Sequence, residues 1–114
     1  MQMIEDKISI TELKKIAQSR FGNMIKAVID VDKETIVIDA DLHSDQEAFL
    51  LERGSKQENL WGINLYPGLF GSDDFIEFDS MINLRPSHGN MTRGVDNLKI
   101  KKKIKNIVNK YVKK

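Results

Sequence analysis

With 114 residues, 40% of them hydrophobic and 31% charged, the chain has the size and balance of one globular domain. It has no cysteine, which excludes disulfides and thiolate metal sites, and no apolar run approaches the roughly 18 residues of a membrane helix. The formal net charge of +1 hides an asymmetry: residues 99–114 hold eight lysines and no acid, while 1–98 hold ten basic and seventeen acidic residues. Such polarity suits either an anionic partner for the basic end or two halves that neutralise each other.

Met1 to Lys7 lack the basic start and apolar core of a signal peptide, so a cytoplasmic protein is expected. Met3-Ile4 reads as the start of a short strand. Ser9-Ile10-Thr11-Glu12 is a capping box, and Ile8 and Leu13 form the matching hydrophobic staple. Ile10, Leu13, Ile16, Ala17 and Phe21 recur at helical spacing, and Gly22 supplies a left-handed stop, which predicts a helix over 10–21. Met24 to Val31 and Thr35 to Asp41 alternate as strands, and Asp32-Lys33-Glu34 joins them as a hairpin turn that lacks the usual glycine. Val28 and Val37 make the outer face of this hairpin partly apolar. Ser44-Asp45-Gln46-Glu47 is a second capping box, ahead of a short helix over 45–53 that Gly54 ends.

Leu60 to Tyr66 is a third strand and Phe75 to Arg85 a fourth. In the fourth, Ile76, Phe78, Ile82 and Leu84 point one way, and Glu77, Asp79, Met81, Asn83 and Arg85 the other. Pro86 has no N–H for a ladder and stops that strand. Asp96 is placed to cap a last helix, whose Ile100, Ile104, Ile107, Val108 and Tyr111 form an apolar stripe beside a lysine-rich side. The order helix-strand-strand-helix-strand-strand-helix predicts a single α+β domain over 1–114. Its simplest form is an antiparallel four-stranded sheet with helices packed mainly on one face. The other face, with Asn64, Glu77, Asp79, Asn83 and Arg85, is then expected to be partly wet.

Two stretches carry a resemblance: Gly54 through Trp61-Gly62-Ile63-Asn64 to Pro67, and Ile82-Asn83-Leu84-Arg85-Pro86 through Gly89-Asn90 to Arg93-Gly94. In these the chain resembles a family of small bacterial and archaeal proteins classed as a domain of unknown function. The resemblance covers most of the chain and implies a free-standing prokaryotic domain. It brings no activity, cofactor or catalytic residue with it.

The 85–94 loop is the richest place for a site, because polar groups cluster there between two well-marked elements. Arg85 and Arg93 offer planar forks for carboxylate or phosphate, Gly89 and Gly94 allow tight turns, and the next helix begins with unbonded N–H groups. His88 and Asn90 lie in the same loop, and Lys102 lies on the charged side of the last helix. These residues point to a binding or regulatory module for an anion, either nucleic acid or a phosphorylated small molecule. The plainer alternative pairs Arg85 with Glu77 or Asp79. A small hydrolase built on Asp79, Arg85 and His88 is a further reading. His43, Asp45, Glu47 and Glu52 contain metal-ligand types, but capping and the helix dipole account for 45 and 47, so no metal and no cofactor is expected. Walker, dinucleotide and zinc-protease motifs are all missing.

Overall fold

The computed structural model describes residues 1–114. Strand β1 (Gln2–Ile4) and the two-residue β2 (Ile8–Ser9) lead into helix α1 (Ile10–Gln18). Strands β3 (Ile25–Asp30) and β4 (Thr35–Ile38) form a hairpin, followed by α2 (His43–Glu52) and β5 (Leu60–Leu65). Strand β6 (Ile76–Glu77), α3 (Leu98–Tyr111) and β7 (Val112–Lys113) complete the chain.

The sheet has five antiparallel strands in the order β1-β4-β3-β5-β6, one more than expected. The additional strand is β1, which extends the hairpin edge by pairing Met3 with Val37. A separate parallel pair joins Ile8 to Val112 and so ties the two ends of the chain together.

Helix α1 starts as its sequence requires, with the Ser9 side chain accepting from the Glu12 N–H at 3.1 Å. It ends three residues early, and Gly22 at φ 93° donates its N–H to the Ala17 carbonyl at 2.7 Å. The second capping box does not form. Helix α2 begins at His43 behind Leu42, with no side-chain cap. The cap of α3 is Asn97 rather than Asp96, and its Oδ1 accepts from Lys99 and Ile100.

The turn of the β3–β4 hairpin manages without glycine because Asp30 organises it. Its Oδ1 accepts the N–H groups of Asp32 and Lys33, both at 2.9 Å, and Ser55 donates to Oδ2 at 2.6 Å. Glu34 takes the left-handed position at φ 55°.

Helices α1 and α3 lie on one face of the sheet and α2 on the other. On one face Ala27, Ile29, Ile36, Ile38 and Ile63 pack with Leu13 and Ala17 of α1 and Ile104, Ile107 and Val108 of α3. On the other, Val28, Val37 and Leu60 pack with Leu50 of α2. Outward valines on a central hairpin are buried at roughly 25 cal/mol per Å² of apolar surface, and α2 is the element that covers them.

The largest departure is the fourth strand. Only Ile76–Glu77 pairs with β5, at Leu65 and Asn64. Beyond it, side chains take over the hydrogen bonds of the sheet edge. Asn83 accepts from Gly62 N at 2.8 Å and donates to Gly62 O at 2.9 Å, copying a strand residue with its amide. Arg85 donates to the Leu60 carbonyl. The backbone between forms short 3-10 turns at Met81–Asn83 and Pro86–His88. The buried edge is therefore satisfied, as buried backbone must be, but by side chains. Gly62 is required there, because a Cβ would lie 2.5 Å from Ser80 Oγ and 3.2 Å from His43 Cγ.

Candidate functional site

The segment from Phe78 to Gly94 crosses the edge of β5, and a hollow opens on each side of it. Trp61 and Asn64, three residues apart on β5, leave opposite faces of the sheet and mark the two hollows.

The first hollow, of about 560 Å³, is lined by Trp61, Arg85, His88, Asn90, Glu58 and the start of α3. Arg85 lies with its guanidinium carbon 4.6 Å from the Trp61 ring centre. Its Nε donates to the Ile82 carbonyl at 3.0 Å and its Nη2 to Leu60. A guanidinium has five N–H donors, so three remain. No carboxylate lies within 4.0 Å of it; Glu47 is the one acid whose field reaches it. Burial lowers the Arg85 pKa from its ordinary value, with the Glu47 charge opposing. The Trp61 side chain is 5% exposed, and its indole N–H is buried with no partner. His88 is exposed at the rim.

Asn90 lines this hollow, but its side chain turns into the loop. Its Nδ2 donates to the carbonyls of Asn83, Thr92 and Gly94, and its Oδ1 accepts from Asp96 N. Asp96 in turn accepts from Met91 N and the Thr92 hydroxyl, bonds that lower its carboxyl pKa. The loop is thus built from the inside, and Asn97 already occupies the amides of α3 that were expected to meet an anion.

The second hollow, of about 400 Å³, lies on the opposite face, below the start of α2. Here Arg93 pairs with Asp79 at 2.7 Å, both half exposed. Glu77 Oε1 accepts from Asn64 Nδ2 at 2.9 Å and from the Tyr66 hydroxyl at 3.1 Å. Burial, then the bond to Glu77, raises the Tyr66 pKa above 10.0. His43, 8% exposed, places Nε2 2.7 Å from the Ile63 carbonyl oxygen. A carbonyl only accepts, so Nε2 carries the proton and Nδ1 the lone pair. Burial lowers the His43 pKa below 6.5; the Ile63 bond and Asp79 oppose this, and Lys26 and Arg93 add to it.

The residues singled out in the sequence are therefore divided. Arg85, His88 and Asn90 share the first hollow, while Arg93 and Asp79 belong to the second. The Asp79, Arg85 and His88 set does not line one cleft. Lys102 is exposed on α3 and lines neither hollow. Lys101 and Lys105 lie over the Phe78 ring at 4.9 and 5.9 Å. Sequence reasoning missed Trp61, Asn64 and Tyr66 as site residues and weighed His43 only as a metal ligand. The strand alternation that separated Trp61 from Asn64 was legible; their unpaired atoms were not.

No group of three or more His, Asp or Glu residues is arranged to hold a metal ion. No helix is long and apolar enough to cross a membrane. No curated protein and no solved structure matches the chain. A family model described as "Protein of unknown function (DUF5674)" matches residues 2–111, nearly the whole chain, and the protein belongs to that family.

Proposed function

We propose that the protein is a cytoplasmic binding module for an anionic ligand, and that a phosphate group sits in the hollow of Arg85 and Trp61. The observation that carries this is a pair of donors without acceptors. Arg85, with three guanidinium N–H groups free of protein acceptors, and Trp61, with a buried and unpaired indole N–H, line the same space. A buried donor left unpaired costs about 1–3 kcal/mol, and an oxyanion would satisfy both groups with charge-assisted bonds. His88 at the rim and Asn97 at the start of α3 add polar groups, and Glu58 sets a limit on how much charge the rim tolerates. The phosphate belongs either to a small molecule or to a nucleic acid whose backbone runs on to Lys102. A hydrolytic alternative would need Asp79 to join Arg85 and His88 in one cleft.

The test is a thermal melt with inorganic phosphate, a mononucleotide and a single-stranded oligonucleotide in separate arms. Binding to the folded state raises the melting temperature by mass action. Phosphate should do so in the wild type and not in Arg85→Lys or Trp61→Phe. Lys102→Glu should weaken only the oligonucleotide arm, and that arm should fall with salt. A wild type indifferent to all three overturns the reading.

A further inference from the structure

We propose that the second hollow is a separate ligand site and that it takes the primary ammonium group of a small amine. The hollow holds acceptors that no protein donor meets. Asn64 is 7% exposed and gives both amide hydrogens away, to Glu77 at 2.9 Å and to the Asp79 carbonyl at 3.3 Å. Its Oδ1 is buried with no partner. The amide orientation is fixed, because the opposite flip would set oxygen against two acceptors. Glu77 takes part in no ion pair and is held through Oε1 alone. His43 presents Nδ1 as an acceptor, since its proton is held on Nε2.

The three residues that carry these acceptors come from three elements and line one space, and an ammonium has three N–H donors. Two cations also line it and neither meets Glu77: Arg93 pairs with Asp79, and the Lys26 ammonium, in no ion pair, lies 5.6 Å from the centre of the Phe21 ring. Glu77 is left as the carboxylate without a counterion. Gly62 lets Ser80 and His43, which both line the space, pack close to β5, where a Cβ would lie 2.5 Å from Ser80 Oγ and 3.2 Å from His43 Cγ.

This inference does not depend on the phosphate reading, and the two histidines allow the sites to be followed apart. His43 lines the second hollow and His88 the first. The experiment titrates the full chain with butylammonium chloride at constant ionic strength and follows both imidazole rings by NMR. The His43 signals should move and saturate while those of His88 stay in place. Glu77→Gln, which keeps the shape of the side chain, should weaken the effect about tenfold or more at an unchanged melting temperature. Tetramethylammonium carries the charge without N–H groups and should not saturate. A shift that never saturates, an equal response to tetramethylammonium, or binding indifferent to Glu77→Gln would each overturn the proposal.

Discussion

Asn83→Leu is expected to be among the most damaging single changes in this protein, although it puts an apolar side chain in a fully buried position. Asn83 is 0% exposed, and its amide is the only partner of the outward N–H and carbonyl of Gly62. It also donates to the Arg93 carbonyl at 2.9 Å. Leucine has the same branched heavy-atom skeleton and is somewhat larger, so it leaves no room for water to replace the amide. Each buried backbone group left unpaired costs about 1–3 kcal/mol, so the two on Gly62 cost about 4 together. The Arg93 carbonyl loses one donor but keeps the Ser80 N–H at 3.0 Å. The gain from burying leucine in place of an amide returns about 1 kcal/mol. The expected net loss is about 3 kcal/mol, a large share of the 5–15 typical of a domain. With a urea slope of about 1–3 kcal/mol per molar, the midpoint should fall by at least about 1 M. Hydrogen exchange provides the local check: the Gly62 amide should lose its protection while that of Ile63, which faces β3, keeps it. A loss under about 1 kcal/mol with Gly62 still protected would refute the idea that side chains complete this sheet edge.

Gly62→Ala drives a Cβ to 2.5 Å from Ser80 Oγ, and such overpacking should cost about 1–3 kcal/mol and displace the His43 signals in NMR. The His43 pKa is lowered on folding, so below about pH 6.5 the unfolded state binds the proton first and stability must fall as the pH falls. His43→Gln should flatten that slope in urea melts, where Lys26, Asp79 and Arg93 are the charges facing the ring. Glu47→Gln removes the one acid whose field opposes the desolvation of Arg85, and should tighten phosphate binding in calorimetry. Ile104→Ala, at a 0% exposed position of α3, should cost about 2–5 kcal/mol, whereas Lys103→Ala next to it should stay within about 0.5.

The regular parts of the fold were legible because their signals are local. Ser9 with Glu12, the glycine stop at Gly22 and the apolar stripe of α3 involve residues a few positions apart. The hairpin was legible from its alternation, and even the outward valines that α2 covers were visible. What failed were readings where a distant group outbids a local one. Ser44 has the right neighbours for a cap, yet His43 is drawn to the Ile63 carbonyl twenty residues away, and α2 begins two residues early. Phe75 to Arg85 alternates like a strand, but Asn83 and Arg85 reach the β5 edge with side chains, and the backbone coils away. A period of two describes where side chains point, not which atoms close the hydrogen bonds. The site followed the same rule. Arg85 and His88, grouped from the sequence, line one hollow. Arg93 was separated from them because it leaves the loop on the face where Asp79 lies.

The most direct test of the phosphate site is the indole N–H signal of Trp61. The chain has one tryptophan, so the signal is single and needs no assignment. In a phosphate titration of the folded protein, that resonance should move to lower field and saturate, as an unpaired donor gains an anionic acceptor. Arg85→Lys should weaken the response while leaving the rest of the spectrum intact. An indole signal that does not move as phosphate rises to tens of millimolar, in a protein that remains folded, would contradict the assignment of this hollow to an anion.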